Sequence, residues 1–398
     1  MKPDKKLRMK KNTMDLLFLL TFFSLLSCEQ KHIRSTDYSY SKPVQLSDSI
    51  KTDHLYSVSM DTSQIVNLTK LILLDTFPNI HSLLIFKNDR LVYENYFSGY
   101  DEISGKKTGY VEHKIDNLHD CRSMSKSVTS ACIGIAVKKG LIKNIDVPIF
   151  PYFKKYLENF DERKKKITIR HLLTMTSGLK WNEDISYRDP RNTELRMDIS
   201  WDPIDFILGR LMVSEPGATW NYNGGNTQLL AEIIKSVSGL SLDKFAEQEL
   251  FIPLGIDKYE WLPLIKNMPA AASGLRLRSR DMLKFGMLYM NEGQWSGKDI
   301  LNADWANQSL DSAVKRPSTR DKSAGYGFQF WTYKETINRK EIEIQEAKGN
   351  GGQRIFFCKS LNLLVVITAG NYNNWEIKND SKVVLIKYII PAIAIASR

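Results

Sequence analysis

The sequence predicts an α+β fold in which one antiparallel sheet is flanked by helices and carries an inserted, mainly helical subdomain. Three observations predict it. Near the start, Ser82–Phe86 and Leu91–Phe97 are apolar and β-prone, and the polar turn Lys87-Asn88-Asp89-Arg90 between them gives a hairpin signal. Near the end, Arg354–Cys358 and Leu363–Ala369 form a second pair of β-rich runs. The long stretch between shows helical periodicity, so strands from both ends of the chain are expected to share one sheet.

The chain opens with a segment that stands apart. Residues 2–11 carry Lys2, Lys5, Lys6, Arg8, Lys10 and Lys11, and an apolar run from Leu16 to Leu26 leads into Ser27-Cys28. A basic head, a short apolar middle and a small residue before cysteine resemble a bacterial lipoprotein signal. The resemblance implies cleavage before Cys28, acylation of Cys28, and export to the cell envelope with a lipid anchor in a bacterial membrane. The run is shorter than the about 20 apolar residues of a transmembrane helix.

Residues 29–60 are polar, with little periodicity, and are expected to form a tether. Residues 61–398 are expected to make the folded domain, its α/β part over about 61–120 and 280–398 and its helical part over about 121–279. Within it a helix should run from near Ser123 to Gly140. Another should span Gln228–Val237, with Leu229, Leu230, Ile233 and Ile234 on one face and Gly239 as its stop. A third is expected over Asp281–Met290, ended by Gly293. The last, Ser381–Ser397, is apolar on more than one face. Lys387 and Pro391 argue against a membrane span, so it should pack on the sheet.

The 398 residues are 42% hydrophobic and 25% charged, ordinary for a globular chain, and the formal charge of +11 falls to +7 without residues 1–28. A moderately basic surface suits an anionic membrane or wall. No basic patch interleaved with aromatics and no nucleic-acid motif accompanies it, so nucleic acid is not an expected partner. Besides Cys28 there are Cys121, Cys132 and Cys358, an odd set without Cys-x-x-Cys spacing, expected to be buried thiols.

The sequence has no Gly-x-Ser-x-Gly elbow and no His-Glu-x-x-His. What it offers is Ser123-Met124-Ser125-Lys126. The same Ser-x-x-Lys spacing recurs at Ser39/Lys42, Ser104/Lys107, Ser177/Lys180, Ser241/Lys244 and Ser312/Lys315, so spacing alone selects nothing. Context does. Ser123 heads an apolar helix continuing through Val128, Ala131, Cys132 and Ile135, and positions i and i+3 share a face. The helix start supplies unpaired N–H groups and partial positive charge. A lysine buried there is expected to have a depressed pKa and to take the serine proton.

Six stretches then follow in an order that is itself informative. They are Arg122–Ser130, Ile167–Gly178, Glu215-Pro-Gly-Ala-Thr-Trp-Asn-Tyr222, Ile252-Pro-Leu-Gly-Ile256, Ala272–Asp281 with Phe285–Tyr289, and Gly349-Asn-Gly-Gly-Gln353. Together, over about residues 80–398, they resemble the class C β-lactamase, penicillin-binding-protein and esterase superfamily of Ser-x-x-Lys hydrolases. The resemblance implies a β-lactamase/transpeptidase-like fold. It also implies Ser123 as the acylated nucleophile, Lys126 as its base, and Tyr222 as the relay of the proton to the leaving group. Asn350, Gly351 and Gly352 fall where the family binds substrate beside the edge strand. The backbone N–H groups of Ser123 and Gln353 then form the oxyanion hole. Neither metal nor organic cofactor is implied.

Two departures accompany the resemblance. Gly224 stands where β-lactamases usually carry the asparagine of Tyr-x-Asn, and Asn350 stands where they carry a cation or imidazole. Both missing groups hold a β-lactam, so the expected activity is that of an esterase or small-amide hydrolase on a small-molecule or peptide substrate. A D-Ala-D-Ala-type peptidase or a β-lactamase is the alternative. From another class, the alternative is a non-catalytic penicillin-binding or sensor-like lipoprotein. A literal Lys-Thr-Gly at Lys107–Gly109 precedes the nucleophile and is read as a decoy.

Overall fold

The computed structural model describes residues 37–317, 323–374, 377 and 380–393. The expected signal with Cys28, and the last residues of the C-terminal helix, lie outside them. The early hairpin pairs β1 (Ile80–Lys87) with β2 (Arg90–Tyr96) through Asn88 and Asp89. Both turn residues have positive φ, 48° and 60°, the twist that a two-residue hairpin loop requires. The late part of the chain adds β3 (Val314–Lys315), β4 (Gly325–Tyr326), β5 (Trp331–Ile337), β6 (Lys340–Lys348), β7 (Arg354–Cys358) and β8 (Leu363–Ala369).

These eight strands form one antiparallel sheet in the order β3-β4-β5-β6-β7-β8-β1-β2. Strand β8 lies against β1, with Leu83 opposite Ile367 and Ile85 opposite Val365, so strands from the two ends of the domain share one sheet, as expected. β1, β7 and β8 are buried along their whole length, because both faces of the sheet are covered. Side chains alternate between two cores with the period of a strand. Leu84, Phe86, Ile355, Phe357, Leu364 and Val366 enter one core; Leu83, Ile85, Phe356, Val365 and Ile367 enter the other.

The second core is roofed by α1 (Thr62–Leu73), capped by Asp61 accepting from the Ser63 and Gln64 N–H groups, and by the C-terminal helical segment. That segment runs over Asp380–Val384 and a π turn at Leu385–Ile389, with Val384, Leu385, Ile389 and Ile390 buried, and packs on the sheet as expected. The first core receives α2 (Ser125–Lys138), α3 (Gly224–Ser238) and α4 (Ser279–Met290). A three-stranded sheet of His119–Asp120, Leu275–Leu277 and Tyr259–Trp261 ties the start of the inserted region to its end.

A polar tether over residues 29–60 is not what the chain builds from residue 37 on. Ile50, Leu55, Val58 and Met60 are buried, and the Tyr40 hydroxyl donates to Val92 O at 2.9 Å. Backbone bonds from Asp53 N to Leu91 O (3.1 Å) and from Leu91 N to Lys51 O (2.8 Å) lay the segment along β2. β2 ends the sheet, and an uncovered edge strand is a template for aggregation. The irregular spacing of these apolar residues is that of an edge cover, which has neither helical nor strand period. Cys121, Cys132 and Cys358 are free and buried, as expected, and burial pushes the Cys358 thiol up to about 12. Among the described residues no helix is long and apolar enough to cross a membrane.

Candidate active site

The turn that leads into α2 determines where the nucleophile points. Arg122–Met124 form a 3₁₀ turn, and Arg122 sits at φ 51°, a left-handed conformation costing a non-glycine residue about 1–3 kcal/mol. Its guanidinium holds that shape: Nη2 donates to Glu102 Oε1 at 2.7 Å and Nε lies 3.2 Å from Asp120 Oδ2. Ser123 is thereby presented, half-buried, on a cleft wall.

Lys126 follows on the same face, 1% exposed, and its Nζ donates to Ser123 Oγ at 3.1 Å. The same ammonium donates to Ala272 O (3.2 Å) and to Glu194 Oε1 (3.4 Å), and lies 3.8 Å from Glu183 Oε1. Tyr222 arrives from the loop before α3, where Asn223 caps the helix by accepting from Asn226 N at 3.1 Å. Its ring centroid is 4.9 Å from Lys126 Nζ, and it lines the same cleft as Ser123. An ammonium and a phenol from distant parts of the chain meet beside one hydroxyl.

The charge on Lys126 is the reverse of the expectation. Burial favours its neutral form, but Glu194, Tyr222 and Glu183 outweigh burial and hold the lysine above its ordinary range. The depressed pKa expected from a buried lysine alone fails because two acids, absent from every motif, lie beside it. Burial and the neighbouring Glu194 push the Glu183 carboxyl up to about 7, against the pull of Lys126. Glu183 Oε2 accepts from Trp181 Nε1 (2.5 Å) and Gly224 N (2.6 Å), and Glu194 accepts from the Tyr187 hydroxyl. Asp198, raised by burial and by Glu194, completes an acidic pocket behind the lysine.

Gly224 explains why the acids fit. A Cβ built there would lie 2.4 Å from Glu194 Oε1 and 3.2 Å from Glu183 Oε2. The carboxylates occupy the volume into which an asparagine at this position would project. The glycine noted as a departure is thus half of a feature whose other half is Glu183 and Glu194. A pair of acids in the Trp181–Glu194 loop was the available signal.

The third element is the loop between β6 and β7. Gly351 and Gly352 have φ of 98° and 103°, values that L side chains rarely adopt, and a Cβ on Gly349 would come 2.2 Å from Cys121 O. The loop therefore touches the nucleophile turn backbone to backbone. Asn350, Gly351 and Gly352 line the same cleft as Ser123 and Tyr222. The Asn350 amide is engaged by its neighbour: Nδ2 donates to Asn373 Oδ1 (2.7 Å) and Oδ1 accepts from Asn373 N (3.0 Å). Gln353 is fully buried and is not on the cleft wall. Its side chain donates to Ala369 O (2.6 Å) and Asn350 O (3.2 Å) and accepts from Ala369 N (2.9 Å), clamping the loop onto β8. Among the described residues its backbone N–H has no protein acceptor.

The cleft has a volume of about 160 Å³, with Tyr187, Trp331, Lys348 and Arg354 as further walls. Lys348, whose ammonium lies 5.1 Å from the Trp331 ring centroid, supplies a cation that the sequence reading placed nowhere. Lys107–Gly109 is exposed on a separate hairpin and does not line the cleft. A roomier groove of about 560 Å³ beside Tyr152 and Trp201 holds none of the Ser123, Lys126 and Tyr222 group, so chemistry and not volume selects the site.

The β-lactamase family profile matches residues 81–385. Penicillin-binding protein 4* of Bacillus subtilis is 27% identical over 184 residues, which are 44% of this chain and 37% of that protein. Among solved structures, EstCE1, a hydrolase with promiscuous acyltransferase activity, is similar with a TM-score of 0.60 at 16% identity, covering 80% of this chain and 97% of that one. A D-stereospecific amidohydrolase from Streptomyces sp. is similar with a TM-score of 0.59 at 16% identity, covering 82% and 98%. At such identities the likeness to the solved structures is one of fold.

Proposed function

The chain belongs to the β-lactamase family, and from that premise we propose that it hydrolyses an ester or small amide through an acyl-enzyme on Ser123. The observation that carries this is the Ser123 hydroxyl, reached by Lys126 Nζ at 3.1 Å on the wall of a cleft that Tyr222 shares, with the Tyr222 ring 4.9 Å from the same ammonium. Ser123 Oγ attacks the carbonyl carbon. Its proton passes to Lys126 as Lys126 hands one of its own to the Glu183–Glu194 pair. Tyr222 protonates the departing alcohol or amine; burial holds the phenol above its ordinary value and disfavours the phenolate that results, a cost that the Lys126 cation offsets in part. In the second half, water loses a proton to Tyr222 and attacks the ester. Ser123 then regains the proton held by lysine and carboxylates. The oxyanion is held by the N–H of Ser123, which lines the cleft as Gln353 does not; one such donor is worth about 3–4 kcal/mol of barrier.

Gly224 and Asn350 support esters and small amides over β-lactams, since the groups that would grip a lactam are absent and a carboxyl, Glu183, lines the cleft. Lys348 on the same cleft wall favours a second reading, a carboxylate-bearing substrate such as a D-amino-acid peptide. A screen with short-chain nitrophenyl esters, nitrocefin and D-amino-acid peptides separates them. Ester hydrolysis with a burst and then turnover is expected. A stable adduct without turnover would identify a sensor, and no reaction with any of the three would remove the proposal.

The proton route makes activity depend on Glu183. A carboxyl held near 7 is mostly protonated at pH 6 and cannot take the lysine proton. We expect kcat/KM to rise as pH increases through about 7, and Glu183→Gln to lose that inflection. An unchanged acid limb in the variant would exclude Glu183 from the route. For location, we propose envelope attachment through acylated Cys28. Cys28→Ser should move the protein from the membrane pellet to the soluble fraction, and a soluble wild type would refute it.

A further inference from the structure

Beside the nucleophile turn, and separate from the cleft, three of the six histidines converge. His81 comes from β1, Asp101 from the strand Gly99–Ile103, His113 from the segment after the strand Lys106–Val111, and His119 from the strand His119–Asp120. His81 is 0%, His119 2% and His113 7% exposed. His81 Nδ1 and His119 Nε2 are 2.9 Å apart. Asp101 Oδ1 lies 4.0 Å from the first and 3.9 Å from the second, and Asp101 Oδ2 lies 3.9 Å from His113 Nε2. The His113 Nε2 atom is buried and makes no hydrogen bond.

We propose that His81, Asp101 and His113 bind one divalent transition-metal ion of the zinc class, with His119 as the outer partner of His81. Bonds of about 2.0–2.1 Å in a tetrahedral zinc site put neighbouring ligand atoms about 3.4 Å apart. Ligand atoms of His81, Asp101 and His113, one from each residue, all lie within 4.8 Å of one another, and the His81 and His113 rings, stacked with centroids 3.8 Å apart at 19°, turn apart on binding to aim both lone pairs at one ion. The ligand chemistry excludes calcium and magnesium, which take oxygen; imidazole with one carboxylate suits zinc and its neighbours. Outer partners of the expected kind are in place. His119 Nδ1 faces Asp120 O at 3.2 Å, which turns Nε2 toward the cluster, and the Tyr372 hydroxyl donates to Asp101 Oδ1 at 3.1 Å. A proton shared by His81 and His119 would account for their 2.9 Å approach but not for the buried His113 Nε2.

Three protein ligands from separate segments hold the ion and leave its fourth position to water. The ion would fasten the hairpin Gly99–Val111 to β1 and, through His119, to the turn that carries Ser123. Tyr372 extends the linkage, since its ring lies 4.6 Å from the Arg122 guanidinium and 2.6 Å from where a Gly351 Cβ would stand.

The test uses the full chain, stripped with a chelator and titrated with Zn2+. One equivalent bound per chain by calorimetry and elemental analysis is expected, with a rise in Tm of several degrees and, with Co2+, the visible absorption of a tetrahedral site. The Tm rise should vanish in His113→Ala, and Tyr372→Phe should bind Zn2+ about 10–100-fold more weakly. A wild type that binds no stoichiometric Zn2+, or a Zn2+ response that survives in His113→Ala, overturns the proposal. Because the wild-type titration decides by itself, a variant that fails to fold does not shield it.

Discussion

Ser123→Ala is expected to lower ester turnover by on the order of 10⁶-fold while leaving Tm within a degree or two of wild type. The side chain is half-buried and small, and its removal leaves the Lys126 ammonium with Ala272 O, Glu194 and Glu183 as partners. No cavity opens in either core and no buried charge is stranded, so none of the usual routes to a large stability loss applies. The measurement is steady-state hydrolysis beside a fluorophosphonate labelling gel. Wild-type turnover in Ser123→Ala, or undiminished labelling, would put the nucleophile elsewhere.

Lys126→Ala is expected to lose about 10⁴-fold in turnover and, unlike Ser123→Ala, about 3–5 kcal/mol of stability at pH 8. The second loss comes from Glu194 and Glu183, which would keep their burial and lose the cation 3.4 and 3.8 Å away. The sign of its pH dependence follows from burial. Without the lysine, whose charge pulls the raised Glu183 carboxyl down, that carboxyl in the folded variant titrates still further above its unfolded value of about 4.3. Such a group contributes stability that is complete below the unfolded pKa and lost as pH rises through the folded one. The gap in Tm between wild type and variant should therefore narrow at pH 5 and widen at pH 8. Lys126→Met combined with Glu183→Gln and Glu194→Gln should recover Tm without recovering activity. A Tm gap independent of pH would show that the lysine acts through packing alone.

The two experiments divide what could be read in the chain from what could not. The strands at 82–97 and 354–369 were legible because an apolar run broken by a turn admits few alternatives. Ser123, Tyr222 and the 349–353 loop were legible because each sits in a stretch whose composition is specific and whose order is preserved. Glu183 and Glu194 had no such context. Glu183 lies in a loop and Glu194 in the short helix Thr193–Asp198, 57 and 68 residues beyond Lys126; the acids themselves were visible, but only the fold brings them to the lysine, so the sign of its shift was inaccessible. The proposed metal site was hidden for a related reason: separate segments contribute one side chain each, with no spacing to recognise. The tether was misread because Ile50, Leu55, Val58 and Met60 cover a strand edge, a task that imposes no period.

The pairing of β1 with β8 joins residues 80–87 to residues 363–369. Every route to the native state must therefore close a loop of nearly the whole domain before this pair of strands can form, and such distant contacts slow folding. While β8 is still on the ribosome or in a translocation channel, β1 presents an unmatched row of backbone donors and acceptors. Synthesis from one end thus cannot produce the finished sheet piecemeal. The polypeptide stays open until its last seventh has emerged, and a holdase would have most to protect during that interval.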